Sequence, residues 1–270
     1  MLELKKNIDA ISKDMQLYKK LADNKESNYF QLVKILNQIS ITSKQIENFV
    51  NLGLNDWVSK EQQSLESAKA KLTFEFGTAL ADELSKNGLK LEGIFPDYKV
   101  KTFFVAAELQ TGKCKLWYGN KEEYLGETAL NALVVKKALF TANERITKRD
   151  FEDSKFFQKL YKAYENAIVK QHKSVGENVG IISLLLELNF LNQNSNFLND
   201  PRKTSFVEYP REFFSYDLFR LKGRQKDNLT LNLSIATREQ NRSRNTYLWV
   251  PSDDSIHGNV YSQIAFRRTN

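Results

Sequence analysis

Two carboxylates and a lysine in the middle of the chain have the types and spacing of a metal-dependent active site. Asp97 follows Pro96, and Glu108, Gln110 and Lys113 follow on the next predicted strands. Two acids on adjacent strands can hold Mg²⁺, and a neighbouring lysine can assist the attacking water. The set Asp97, Glu108 and Lys113 therefore indicates phosphodiester hydrolysis as a candidate activity.

This spacing resembles the PD-(D/E)xK pattern of Mg²⁺-dependent nucleases, with one departure. Gln110 stands where that pattern has its lysine. The upstream helix has coiled-coil spacing, and Asp97 lies beside a turn-forming proline. We keep a nuclease as the alternative function and expect a non-enzymatic protein with no catalytic residue, no metal site and no cofactor.

The other reactive side chains give no further support for an enzyme. Cys114 is the single cysteine, so an intramolecular disulfide and a cysteine-rich zinc site are excluded. It lies within a predicted strand, where it fits a small buried hydrophobic residue. His172 and His257 have no second His or Cys at metal-ligand spacing, and the glycine-rich motifs GxxxxGK[ST] and GxGxxG are absent.

Basic residues concentrate in the last quarter of the chain and predict a surface for a polyanion. Residues 201–270 contain 12 Lys and Arg against 7 Asp and Glu, which accounts for +5 of the net charge of +7. Side chains of this kind bind phosphate oxygens through several hydrogen bonds. An ordinary solvated surface would show the same excess. The predicted nucleic-acid-binding residues are Arg220, Lys222, Arg224, Lys226, Arg238, Arg242, Arg244, Arg267 and Arg268.

The N-terminal region, residues 1–88, predicts a helical hairpin or coiled coil. Apolar residues recur every three or four positions in three helical segments, the first over 2–22 and the third over about 54–86. Gly53 and Gly88 are placed to end helices. The seam of the second helix packs within the chain or against a partner's coiled coil. The predicted partner-binding residues of this seam are Leu32, Leu36, Ile39, Ile46 and Val50.

Residues 89–175 predict an α+β middle domain that contains a small antiparallel sheet. Three short strands come first, and the last two are joined by a hairpin at 110–112, where glycine supplies a positive φ. Two helices follow, over 127–143 and about 150–171. Together with the other regions, this makes the predicted fold class α+β.

Residues 176–270 predict a winged-helix-like basic domain. An apolar helix precedes a second helix that begins at Pro210, a residue favoured in the first turn. Leu229 to Ile235 alternate between apolar and polar side chains, as in a half-buried strand. Two more strands follow, so that the segment REQNRSRN around Arg242 is the predicted tip of the wing.

Composition excludes several classes of protein. The 41% hydrophobic and 12% aromatic residues exclude a disordered chain, and 11 Gly and 4 Pro exclude collagen-like repeats. No run of 18 apolar residues predicts a membrane span, and the start of the sequence lacks the apolar core of a signal peptide. We therefore expect a cytoplasmic protein without a membrane partner.

Five phrases of the sequence carry a resemblance to a known family. They are LEGIFPDYK, KLWYGNKEE, FLNDPRK, YPREFFSYDLFRL and YLWVPSDD. They are similar to the small accessory subunit of Lamassu-type antiphage and antiplasmid systems, over about residues 70–270. The resemblance implies a non-enzymatic subunit that bridges an SMC/Rad50-like ATPase and a nuclease effector and helps to sense double-stranded DNA. It transfers no active-site residue. A stand-alone winged-helix DNA-binding regulator is a further alternative.

Overall fold

The structure, a computed structural model, describes residues 2–47, 49 and 52–268. The protein is a mixed α+β protein with an N-terminal helical region and antiparallel sheets. The helices are α1 (Leu2–Leu21), α2 (Tyr29–Ile46), α3 (Leu54–Ser85), α4 (Ala132–Thr147), α5 (Asp153–Lys170), α6 (Ile181–Leu191), α7 (Ser195–Asn199) and α8 (Arg211–Arg220). The strands are β1 (Glu92–Ile94), β2 (Asp97–Val100), β3 (Phe103–Glu108), β4 (Lys113–Tyr118), β5 (Glu123–Ala129), β6 (Val179–Gly180), β7 (Gln225–Lys226), β8 (Leu229–Ile235), β9 (Leu248–Pro251) and β10 (Gly258–Arg268). Among the described residues, no helix combines the length and the apolar character needed to cross a membrane.

The chain divides into two compact units, neither of which is a single continuous segment. The first unit comprises Met1–Tyr98, Ala106–Lys115 and Glu127–Lys136, and the second unit comprises the remainder. The predicted boundary near residue 88 falls within the first unit, and the boundary near residue 175 falls within the second. Strands β2 to β5 contribute residues to both units.

The first unit contains a bundle of α1, α2 and α3 with its own apolar core. The predicted seam residues Leu32, Leu36, Ile39 and Ile46 are all buried in this core, together with side chains of α1 and α3. Val50, the fifth predicted seam residue, lies outside the described residues. The bundle therefore covers the described part of the seam with its own helices. Partner docking through the seam stays a prediction, and it would require the bundle to open.

Gly88 ends a helix as the sequence predicts, but Gly53 does not, because α2 already ends at Ile46 and Gly53 directly precedes α3. Helix α3 ends at Ser85, and Gly88 follows with a φ of 69°. The N–H of Leu89 donates to Leu84 O at 3.1 Å, and that of Gly88 donates to Ser85 O at 2.9 Å, which is the Schellman pattern. Gly112 has a φ of 67° between β3 and β4 and confirms the predicted hairpin.

The five strands β1 to β5 form a sheet in chain order. Strand β5 occupies Glu123–Ala129, so the prediction of a helix over 127–143 is wrong at its start. Helix α4 begins only at Ala132. The error has a physical cause, because pairing with β4 determines the conformation of this segment and Gly126 weakens its local strand pattern.

The second sheet is organised around the long strand β10. One side of β10 pairs with β8, and the other side pairs with β6 and β9. Helices α5, α6 and α8 contribute to one apolar core with this sheet, in which the Phe266 ring contacts Phe157 and Tyr161. This core holds the second sheet in place, and several of the predicted basic residues lie on the strands of that sheet.

The winged-helix-like arrangement is not confirmed. Strands β8 and β9 both pair with β10 and not with each other. The segment between them, 236–247, is therefore not a hairpin loop, and its prediction as the tip of a wing is wrong. The alternating side chains of 229–235 predict that β8 is a strand, but they do not predict which strands lie beside it.

Candidate nucleic-acid interface

Five of the nine predicted basic residues lie on strands β7 and β10 of the second sheet or in the segment that leads into β7. Arg268 of β10 pairs with Leu229 of β8, and Leu229 pairs with Lys226 of β7. Neighbouring strands are about 4.8 Å apart, so β10 and β7 lie about 10 Å apart with β8 between them. The five residues, here called the basic end cluster, are Lys222, Arg224, Lys226, Arg267 and Arg268.

A tight turn places Lys226 at this end of the sheet. Asp227 and Asn228 connect β7 to β8 with φ angles of 53° and 60°. Two consecutive residues with positive φ are typical of a type I′ turn, whose twist matches that of paired strands. Asp and Asn are the non-glycine residues that adopt this conformation most readily. The β7–β8 turn is therefore a hairpin tip beside a basic residue, and the sequence signal for it is the Asp-Asn pair.

The basic end cluster lies at the surface and has no ion pair among the described residues. Four of its members are exposed, and Lys226 is half-buried. Within the described part of the chain, none of the five side chains forms an ion pair. The N–H of Lys222 donates to Asp153 Oδ2 at 3.3 Å, and the carbonyl of Arg224 accepts from the N–H of Leu231 at 2.7 Å. These hydrogen bonds hold the main chain at Lys222 and Arg224, while the charged ends of both side chains face solvent.

Arg220, which the sequence groups with these residues, lies in a buried ion-pair network. Its Nε donates to Asp217 at 2.9 Å, and its guanidinium carbon lies 3.9 Å from the centroid of the Phe151 ring. Asp217 is 3% exposed and also accepts hydrogen bonds from Arg149, at 2.6 and 3.1 Å, and from the Tyr209 hydroxyl at 2.6 Å. Burial, together with the Asp217 charge, raises the pKa of Tyr209 well above its ordinary value. We expect Arg220 to stabilise α8 rather than to contact DNA.

Arg244 is also paired with an acid of its own chain. The carboxylate of Glu123 is 3% exposed and accepts from Arg244 Nη2 at 2.5 Å and from Arg211 Nε at 2.7 Å. Arg211 also donates to the carbonyl oxygens of Arg244 and Tyr247, at 2.7 and 2.6 Å. These bonds fix residues 244–247 against β5. Arg211 and Glu123 hold this segment in place, and the sequence does not indicate this contact, because the two residues lie 88 positions apart.

Arg238 and Arg242 are exposed but lie away from the basic end cluster. Both belong to the segment 236–247, which leaves β8 after Ile235. The cluster is beside Leu229, at the other end of β8, and seven residues of strand span about 20 Å. The structure thus places five of the predicted residues at the end of β10, on β7 and in the segment before β7, and leaves these two near the other end of β8.

Two of the three candidate nuclease residues, Glu108 and Lys113, are engaged in ion pairs within the first unit. The Glu108 carboxylate accepts from Lys115 Nζ, and Lys113 Nζ donates to Glu127. The hydrogen bond from Lys115 is the largest cause that lowers the pKa of Glu108. Asp97 is exposed at the start of β2. Among the described residues, no group of three or more His, Cys, Asp or Glu side chains could hold a metal ion.

The single cysteine has the surroundings of a packing residue. Cys114 is fully buried in β4, and burial raises the pKa of its thiol to about 12. A thiol with this pKa stays protonated at neutral pH and is a poor nucleophile. His172 and His257 are both exposed, the first after α5 and the second before β10.

Comparisons with known proteins give no match to a family model, to a curated protein or to a solved structure.

Proposed function

We propose that this chain is a non-enzymatic subunit that binds the backbone of double-stranded DNA through the basic end cluster. The observation that carries the proposal is a set of five cationic side chains, on and beside β7 and β10, that form no ion pair with the residues that the structure describes. Clustered lysine and arginine side chains neutralise phosphates and release condensed counterions. Other arginines of the second unit, by contrast, form ion pairs with Asp217 and Glu123.

The chemistry of the cluster favours binding that is independent of sequence. Lysine and arginine contacts to phosphates position a protein on a duplex, whereas sequence is read at the base edges in the grooves. The turn at the hairpin tip consists of Asp227 and Asn228 only. It therefore contributes no helix that could enter a groove and read base edges. In this proposal the β7–β8 hairpin serves as the wing of a winged-helix-like module, with α6 and α8 as its helices.

The partners proposed for this subunit come from the resemblance to Lamassu-type accessory subunits. They are an SMC-like ATPase and a nuclease effector, which the chain would bridge in the cytoplasm. A test is co-expression with an SMC-like ATPase encoded by a neighbouring gene, where there is one, followed by co-purification. If the neighbouring genes encode no ATPase and the chain purifies alone, the bridging role is excluded while DNA contact stays open.

DNA contact is tested with two variants that remove equal charge. The first variant changes all five residues of the basic end cluster to Gln. The control changes five exposed lysines of α1 to Gln, namely Lys5, Lys6, Lys13, Lys19 and Lys20. Fluorescence anisotropy with several unrelated duplexes measures affinity at one salt concentration. We expect a similar loss on every duplex for the cluster variant and little change for the control. Equal losses for both variants would contradict a localised interface.

A further inference from the structure

Helix α2 has a second face, on the other side from the buried seam, that is largely exposed. Its residues follow one another at spacings of four, three, four and three positions, which places them along one side of a helix. The first of them is half-buried, and the other four are exposed. We call this surface the outer face of α2, and its residues are Phe30, Lys34, Asn37, Ile41 and Lys44.

The tip of the β3–β4 hairpin borders the outer face and makes it concave. A Cβ atom on Gly112, in this tip, would lie 3.3 Å from the Phe30 ring, and Leu109 packs against the apolar core of the bundle. The groove between the hairpin and α2 has a volume of about 1250 Å³ and is lined by residues of the first unit only. Small-molecule pockets measure about 300–1,000 Å³. This groove therefore has the size for a segment of a protein chain.

The lining of the groove combines apolar side chains with polar ones. Phe30, Val33, Ile41 and Leu109 contribute the apolar part. Ile41 is 55% exposed. A single exposed isoleucine is ordinary in a folded protein, but Ile41 lies in a concave surface that continues into three half-buried apolar residues. A partner that covers Ile41 also reaches this apolar floor.

The lysines of the outer face carry positive charge that the chain does not pair. Helix α2 contains no acidic residue. Lys34 and Lys44 are exposed and form no ion pair with the residues that the structure describes. Glu108 lines the groove but already accepts a hydrogen bond from Lys115, and Lys69, which also lines it, is paired with a glutamate of α3. The charge available to a partner is therefore that of Lys34 and Lys44.

We propose that this groove binds an acidic amphipathic helix of a partner protein. Apolar side chains on one face of such a helix would cover Ile41 and the apolar floor. Its carboxylates would face Lys34 and Lys44, which are ten positions and therefore about 15 Å apart on α2. Opposite charges steer such a partner to the groove and exclude a basic one. Phosphates of a nucleic acid would pair with the lysines but would leave Ile41 in water.

The outer face of α2 shares no residue with the basic end cluster. The inference therefore does not rest on the proposed duplex contact, and either can fail without the other. It also requires no opening of the bundle, in contrast to docking through the seam, because the seam residues stay buried while the outer face is covered.

The experiment uses three synthetic peptides of about 18 residues, a length that forms five helical turns. The first peptide has leucines along one helix face and glutamates at the other positions. The second has the same composition in an order that gives no apolar face, and the third has lysines in place of the glutamates. Fluorescence anisotropy measures the affinity of each peptide for the full chain.

Two variants with equal changes in charge locate the binding site. The groove variant combines Lys34→Glu, Ile41→Asp and Lys44→Glu. The control makes the same changes at exposed residues of α1, where Leu17 is 44% exposed. It combines Lys13→Glu, Leu17→Asp and Lys20→Glu.

We expect the full chain to bind the acidic amphipathic peptide at least tenfold more tightly than either other peptide. The groove variant should lose at least tenfold in affinity for this peptide, because it removes the apolar anchor and reverses both charges. The control should keep the affinity of the full chain. Both variants should bind duplex DNA as the full chain does.

Three outcomes would overturn the inference. They are no binding of the acidic amphipathic peptide by the full chain, equal affinity for the three peptides, or unchanged affinity in a groove variant that melts at the same temperature as the control. A groove variant that loses duplex affinity as the basic end cluster variant does would assign the outer face to nucleic acid instead.

A milder pair of variants serves if the groove variant melts at a lower temperature than the control. Lys34→Gln changes one exposed side chain and should lose about threefold in affinity for the acidic amphipathic peptide, the order of one exposed ion pair. Lys13→Gln is its control and should lose nothing. Equal affinities of these two variants would contradict a contact at the outer face of α2.

Discussion

The second unit uses the same two residue types, lysine and arginine, in two different ways. Around Asp217 and Glu123, arginines are packed against aromatic rings and bonded to buried carboxylates. At the end of β10, by contrast, Arg267 and Arg268 are exposed and have no acidic partner among the described residues. The difference teaches that a count of basic residues does not define an interface. The available charge is the charge that the fold leaves unpaired.

The largest effect is expected from removing the acid of the buried network. Asp217→Ala leaves the guanidinium groups of Arg149 and Arg220 without a counter-charge and the Tyr209 hydroxyl without its acceptor. Breaking a buried ion pair on one side costs about 3–5 kcal/mol. Urea unfolding should show this loss, whereas Asp227→Asn, at the exposed β7–β8 turn, should change stability by less than about 0.5 kcal/mol. Equal stabilities of the two variants would contradict the distinction between the regions.

A smaller effect is expected from Tyr209→Phe, and it depends on pH. At neutral pH the variant loses a hydrogen bond to a charged group, which is worth about 1.5–3 kcal/mol. The folded pKa of Tyr209 is raised above its ordinary value of 10.0, so the unfolded chain loses this proton first. Stability from this group is therefore present below pH 10 and falls as pH rises above it. Unfolding measured between pH 8 and 11, roughly one unit or more on each side of that value, should show a shallower alkaline decline for the variant. Parallel declines would exclude Tyr209 as a contributor.

Two arginines of one segment provide a matched comparison. Arg244→Gln removes one of two arginine bonds to Glu123 and should destabilise the fold by about 1 kcal/mol. Arg242→Gln changes an exposed side chain two positions away and should leave stability unchanged within about 0.5 kcal/mol. Thermal melting of both variants measures the difference. If Arg242→Gln is the more damaging variant, the assignment of paired and unpaired residues in this segment is wrong.

Substitution of the candidate nuclease residues is not expected to change the DNA cleavage measured for the chain. Glu108 and Lys113 are engaged in ion pairs, as described above, so they belong to the paired class. The purified chain should not cleave plasmid or linear DNA with Mg²⁺ or Mn²⁺, and Asp97→Ala and Glu108→Ala should match it in an agarose-gel assay. Cleavage that disappears in both variants would establish the nuclease alternative.

The sequence predicts local features of this fold well. Apolar spacing predicts α3 over about 54–86, against Leu54–Ser85 in the structure. The positive φ angles expected at Gly88 and Gly112 are confirmed. These features depend on neighbouring residues only, so the local pattern contains the information.

What the sequence does not predict depends on contacts between distant residues. The central place of β10 follows from pairing with three strands, and alternation along each strand does not specify those neighbours. Likewise, Arg244 is paired because Glu123, 121 positions away, lies beside it. The Asp-Asn turn at residues 227 and 228 is the local signal that would have indicated the correct hairpin tip.

The salt dependence of duplex binding tests the central claim most directly. If the five residues of the basic end cluster each neutralise one phosphate, the slope of log affinity against log salt should be about −4.5, which is a loss of about 500-fold between 50 and 200 mM. Changing the cluster to Gln should bring the slope close to zero, and changing the five α1 lysines should leave it near −4.5. A slope that is the same in the full chain and in the cluster variant would contradict the account.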